Sequence, residues 1–190
     1  DVAAPAIGEI TAADGKITVP FTMVIGYDGA DSVSVDMKNA AGTVVATENY
    51  AKDAAEGVVT FTPAASGDYT FTITAARKDE ADKTGTDREF KGFELPLAKP
   101  SFQSATSQGG GKVSLVWDEV TEASSYEVSY SENGTDFTQP VSVTGTEYVV
   151  SGLTVGKEYT FKLTAVRVLP AAVSEAATIT AKATAEAQQV

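Results

Sequence analysis

Apolar side chains in this sequence fall on every second residue, and that spacing limits what the chain can fold into. Residues 69–75 read Tyr-Thr-Phe-Thr-Ile-Thr-Ala. Successive side chains of an extended chain point to opposite faces. Tyr69, Phe71, Ile73 and Ala75 therefore share one face, and Thr70, Thr72 and Thr74 the other. Residues 159–165 repeat the pattern, with Tyr159, Phe161, Leu163 and Ala165 against Thr160, Lys162 and Thr164. Further inward sets are Ile17, Val19 and Phe21; Val33, Val35 and Met37; Val59 and Phe61; Val113, Leu115 and Trp117; and Tyr126, Val128 and Tyr130. Long segments with a 3.6-residue period are absent. Alternation of this kind marks half-buried antiparallel strands with one wet face.

Turn signals separate the runs: Asp14-Gly15, Asp28-Gly29, Ala41-Gly42, Ser66-Gly67, Asn133-Gly134, Gly145 and Gly156. Short strands punctuated this regularly predict an all-β sandwich or barrel. The chain also repeats itself. Residues 15–21 match 111–117 at an offset of 96, and 68–77 match 158–167 at an offset of 90. Two copies of one sandwich in tandem account for this, over residues 1–97 and 98–190, with a short polar tail. The joint is expected at Leu97-Ala98-Lys99-Pro100, because Pro100 cannot continue a central ladder. So short a linker implies restricted hinge motion. Pro20 lies inside an apolar run, which predicts a bulge or an edge position there.

Composition removes most chemistry. The 190-residue chain has no His and no Cys, and its 14 basic and 26 acidic residues give a net charge of −12. Without His there is no Ser-His-Asp triad, HExxH zinc site or imidazole base; without Cys there are no disulfides or thiolate ligands. The acidic balance disfavours nucleic acid and anionic lipid, both of which need basic surface. No apolar run is long enough to span a membrane. The apolar fraction of 43% is enough for a packed core. The opening Asp1-Val2-Ala3-Ala4-Pro5 lacks Met and reads as a mature or trimmed start, and residues 183–190 read as a linker to further chain.

The second half resembles a fibronectin type III domain of the kind found in bacterial extracellular proteins. The residues that carry the resemblance are Val113-Ser114-Leu115-Val116-Trp117-Asp118, Ala123-Ser124-Ser125-Tyr126-Glu127-Val128, and Leu153 with Tyr159-Thr160-Phe161-Lys162-Leu163-Thr164-Ala165-Val166. The resemblance covers about residues 99–183. It implies that Trp117 and Tyr126 are core residues. It also implies that Tyr159, six after Leu153, forms a corner whose hydroxyl bonds a backbone group upstream. The first half resembles the immunoglobulin-like superfold more loosely: Tyr69 matches the corner, but Pro63 replaces the Leu and Phe21 the Trp.

Several motifs need weighing against plain structure. Asp82-Lys83-Thr84-Gly85-Thr86 spells the phosphorylation loop of P-type ATPases, but it lies between two antiparallel strands, so a polar hairpin loop is expected. Gly109-Gly110-Gly111-Lys112 hints at a phosphate loop, but it enters a strand and is followed by Val113, so it reads as a flexible turn. Asp79, Glu80, Asp82 and Asp87 crowd one loop that would suit Ca²⁺; Arg77, Lys78, Lys83 and Arg88 offset them, so a solvated loop is expected. Asp118 and Glu119 are adjacent, so on a strand they face opposite ways and do not flank one glycosidic bond. Tyr27, Tyr50, Phe90, Phe93, Phe137 and Tyr148 form no row for sugar stacking, which predicts partial burial. Asn133-Gly134-Thr135 is a glycosylation sequon on a hairpin tip; a turn is expected there.

The expectation is therefore two immunoglobulin-like sandwiches acting as a monomeric, non-catalytic spacer or presentation module. No catalytic, cofactor or metal residue is assigned. The resemblance implies an extracellular or cell-surface setting beside other domains of one polypeptide, in association with carbohydrate-active machinery. The rival is an adhesion module for a glycan or a surface protein, using loops at one sandwich end or an exposed strand edge.

Overall fold

The computed structural model describes residues 4–23, 32–50, 56–76 and 81–187. The chain divides into two compact units, Asp1–Leu95 and Pro96–Val190. Each is all-β, each pairing is antiparallel, and no helix occurs among the described residues.

The first unit holds β1 (Ala6–Ile7), β2 (Thr11–Ala13), β3 (Lys16–Thr22), β4 (Ser32–Asn39), β5 (Val44–Tyr50), β6 (Glu56–Phe61), β7 (Gly67–Ala76), β8 (Lys83–Thr84) and β9 (Arg88–Phe93). One sheet centres on β3, with β6 along one side and β1 then β2 along the other. The second runs β5-β4-β7, with β8 and β9 on the far side of β7. The inward sets read from the sequence line one core: Ile17, Val19, Phe21, Val33, Val35, Met37, Val59, Phe61, Tyr69, Phe71, Ile73 and Ala75 are all buried.

The second unit holds β10 (Phe102–Gly109), β11 (Lys112–Trp117), β12 (Ser125–Ser131), β13 (Val141–Val143), β14 (Glu147–Val150), β15 (Glu158–Arg167), β16 (Ala172–Val173) and β17 (Ala177–Lys182). Its sheets are β10-β11-β14 and β13-β12-β15, with β16 and β17 beyond β15. Trp117 is buried with its ring edge-on to Tyr126 at 5.4 Å and to Phe102 at 6.5 Å. The Tyr126 hydroxyl accepts the Val120 N–H at 2.8 Å, so one side chain fills the core and fixes the loop before it. Leu97 packs against this second core.

Three expectations change or sharpen. Pro20 is not on an edge strand, and the bulge expected there lies opposite it: from Ile7–Phe21 to Thr11–Thr18 the β1–β2 side advances four residues while β3 advances three. β3 pairs in unbroken register with β6, Pro20 opposite Val58. The Pro20 carbonyl accepts the Gly8 N–H at 2.8 Å. In a strand the carbonyl and nitrogen of one residue face the same neighbour, so the proline nitrogen faces the interruption between β1 and β2, where no donor is required. Second, the Gly109-Gly110-Gly111 turn is fixed rather than flexible. All three glycines have positive φ (80°, 59° and 73°). A Cβ on Gly111 would lie 2.2 Å from the Leu153 carbonyl oxygen, and Leu153 N–H donates back to Gly111 O at 3.0 Å. Only glycine supplies that backbone at that distance. Third, residues 183–187 are not a tail. Ala183 is fully buried, Thr184 bonds Ser107 through both its N–H and its hydroxyl, and Ala187 bridges to Gln108.

Candidate functional site

Two places in the second unit bring polar or exposed groups together. The first follows from the corner tyrosine. Tyr159 opens β15 with its ring buried among Tyr130 and Phe161, so its hydroxyl emerges at the rim of the core. There it accepts the Thr154 N–H at 2.9 Å and donates to Glu132 Oε1 at 2.9 Å. Lys157 Nζ donates to the other oxygen, Glu132 Oε2, at 2.6 Å. Beside this array lies an open groove of about 490 Å³, lined by Tyr130, Glu132, Asn133, Asp136, Thr138 and Thr154 among others. Tyr130 borders it, which is why this member of the β12 inward set is only half-buried.

The Lys157 bond, and next the Tyr159 hydroxyl, hold the Glu132 carboxyl below the usual carboxylate range; the same bond to Glu132 holds Lys157 above the usual ammonium range. The carboxylate's contribution to stability is thus present above the ordinary carboxyl pKa and lost as pH falls through its lowered value. The ammonium's is present below the ordinary lysine pKa and lost as pH rises through its raised value. Both groups are about half exposed, so the effect is small and weakens with salt. In thermal melts across pH, Lys157→Met is expected to flatten the acid and alkaline limbs relative to wild type; unchanged limbs would contradict the pairing. Tyr159→Phe loses both hydroxyl bonds and is expected to cost about 1–2 kcal/mol by denaturant titration.

The second place is the β15–β16 turn. Alternation along β15 carries Arg167 inward after Ala165, and Arg167 is buried. Its Nη1 donates to Glu122 Oε2 at 2.5 Å, with side-chain exposures of 4% and 20%. Its Nε donates to the Pro170 carbonyl at 2.8 Å. A buried cation thereby fixes a turn whose outer face is apolar: Leu169 is 87% exposed, Val173 65% and Val168 62%.

The strand order, the corner hydroxyl and the Trp117–Tyr126 core agree with the family comparison, in which residues 98–177 match the fibronectin type III domain. Residues 98–177 are a fibronectin type III domain. A search of curated proteins gives no match. Among solved structures, the chain is similar to a two-domain fibronectin type III segment of chicken tenascin, with a TM-score of 0.53 and 16% identity over 95% of this chain and 98% of that one. At that identity the likeness is one of fold, and it spans both units.

The fibronectin type III fold is typically non-catalytic, and the remaining motifs take structural roles. Asp118 accepts Gln103 Nε2 at 2.6 Å. Among the described residues, no three acidic, His or Cys side chains gather where they would hold a metal. Arg77, Lys78, Asp79 and Glu80 lie outside the described residues, as do Tyr27 and Asp28-Gly29. Asp87 accepts the Thr72 hydroxyl at 2.6 Å, and Thr72 in turn accepts Lys38 Nζ at 2.7 Å, tying β4, β7 and the start of β9 together. In Asp82-Lys83-Thr84-Gly85-Thr86, Lys83 and Thr84 form β8, and Gly85 lies against Pro5, where a Cβ would stand 2.1 Å from the backbone oxygen. The aromatics are occupied: Phe93 is core, Tyr50 packs edge-on to Phe21 at 5.1 Å, Phe90 and Tyr148 lie partly buried on the two cores, and Phe137 carries Lys162 Nζ at 4.4 Å.

The corner tyrosine and its Leu were legible from the resemblance. Glu132, Lys157 and the Glu122–Arg167 pair were missed. For Arg167 a signal existed, because the inward period of β15 runs on into a charged residue that then needs a buried partner.

Proposed function

We propose that this chain is a non-catalytic spacer or presentation module of a larger secreted or surface-anchored bacterial protein, in the setting of carbohydrate-active machinery. What supports the reading is the disposition of its aromatic side chains. Each one described lies in a core or is partly covered, so none of the described aromatics offers a flat platform for a sugar ring. Neighbouring domains of the same polypeptide are then its main partners. No helix among the described residues is long and apolar enough to cross a membrane. A glycan-array screen tests the reading: no reproducible binding is expected, and repeated capture of one glycan class would overturn it.

A second reading, adhesion to a protein, draws on the braced turn at Val168, Leu169 and Val173. An exposed apolar turn held from beneath suits a partner with an apolar pocket. Under this reading Leu169→Asp abolishes attachment to a surface that the wild-type chain coats, while leaving the melting temperature unchanged.

A further inference from the structure

Asn133-Gly134 on the β12–β13 connection is the one Asn-Gly pair in the chain; Asn39 and Asn49 precede Ala40 and Tyr50. Glycine after asparagine leaves the next backbone nitrogen unshielded, so that nitrogen can reach the side-chain carbonyl carbon. The loop holds this amide at both ends. Asn133 Oδ1 accepts Ser131 Oγ at 2.8 Å, Thr135 N at 2.9 Å, Asp136 N at 2.9 Å and Thr135 Oγ1 at 3.0 Å. Its Nδ2 donates to Asp136 Oδ2 at 2.6 Å. Residues 132–136 are exposed, so water reaches the amide.

We propose that Asn133 is a self-modification site gated by this loop: closed, the five bonds hold the amide away from reaction; open, it cyclises. In the open state the Gly134 nitrogen attacks Cγ of Asn133. The N–Cγ bond forms, the Cγ–Nδ2 bond breaks, and the nitrogen's proton leaves with the amide as ammonia. Water then opens the resulting succinimide at either carbonyl, giving aspartate or isoaspartate. One water is consumed, one ammonia is released, and nothing is oxidised or reduced. The product destroys the gate that delayed it. An aspartate has no Nδ2 donor and sets a carboxylate against Asp136; an isoaspartate lengthens the backbone by one carbon. Either change releases the lip of the groove that Asn133 and Asp136 line.

The test is peptide mapping with isoaspartate detection on the full chain in mildly alkaline buffer, folded and in urea. Conversion confined to Asn133 is expected, slower by about tenfold or more in the folded chain, since reaction there waits on local opening. Asp136→Ala removes one of the five bonds and is expected to speed the folded reaction by about fivefold while leaving the urea rate unchanged. A matching circular dichroism spectrum shows that this surface variant is folded. Equal rates in buffer and urea would overturn the gate. Absence of conversion in urea would overturn the site. An Asp136→Ala rate equal to wild type would remove Asp136 from the mechanism.

Discussion

Replacing Trp117 by alanine is expected to lower the stability of the second unit by about 3–5 kcal/mol, the range for deleting a buried large aromatic and leaving its cavity. Trp117 is 1% exposed, and its ring meets both Phe102 on the neighbouring strand β10 and Tyr126 on β12 of the other sheet. No small movement of one strand fills the space. Trp117→Phe refines the expectation. The indole Nε1 is buried and finds no hydrogen-bond partner. Removing that donor relieves a desolvation penalty of about 1–3 kcal/mol, which offsets part of the lost volume. Trp117→Phe should therefore cost clearly less than Trp117→Ala in urea titration. Equal midpoints for wild type and the alanine variant would contradict the core assignment.

Breaking the Glu122–Arg167 pair is expected to cost a comparable amount, about 3–5 kcal/mol for Glu122→Ala, because it strands a cation inside the protein. The Arg167 side chain is 4% exposed, so water cannot replace the carboxylate without opening the end of β15. Glu122 also sits at a φ of 63°, a region that non-glycine residues seldom occupy, and the ion pair helps hold it there. The double variant Glu122→Ala/Arg167→Met removes the stranded charge and should recover much of the loss. A double-mutant cycle measures this directly. Additive costs would show that the two side chains do not act together, and the turn at Val168-Leu169-Pro170 would lose its proposed brace.

What the sequence disclosed, and what it hid, follows from how each feature is encoded. A strand buried on one face writes its core at period two, so β3, β4, β7, β11 and β15 were readable from their side chains alone. β10 reads Phe-Gln-Ser-Ala-Thr-Ser-Gln-Gly and carries no such pattern. Its buried Ser107 is bonded in part by Thr184, 77 residues on, whose N–H and hydroxyl both reach the Ser107 hydroxyl. β5 was unreadable for the opposite reason: among the described residues it pairs only to β4, leaves most of both faces exposed and needs no alternation. The same limit governs the site. Glu132, Lys157 and Tyr159 meet because β12 pairs with β15 in one register, Ser131 opposite Thr160. No local motif encodes that meeting. The tail expectation failed because alanines pack into narrow space as readily as they decorate a linker, and Ala183 does the former.

Native-state hydrogen exchange on the intact chain tests most directly whether alternate side chains build two separate cores. The slowest amides are expected in β3, β4 and β7 of the first unit and in β11, β12 and β15 of the second, the strands paired on both sides. Trp117→Ala should then speed exchange throughout residues 96–190 and leave β4 and β7 as slow as before. Loss of protection in both units together would mean one shared core, and would contradict the account.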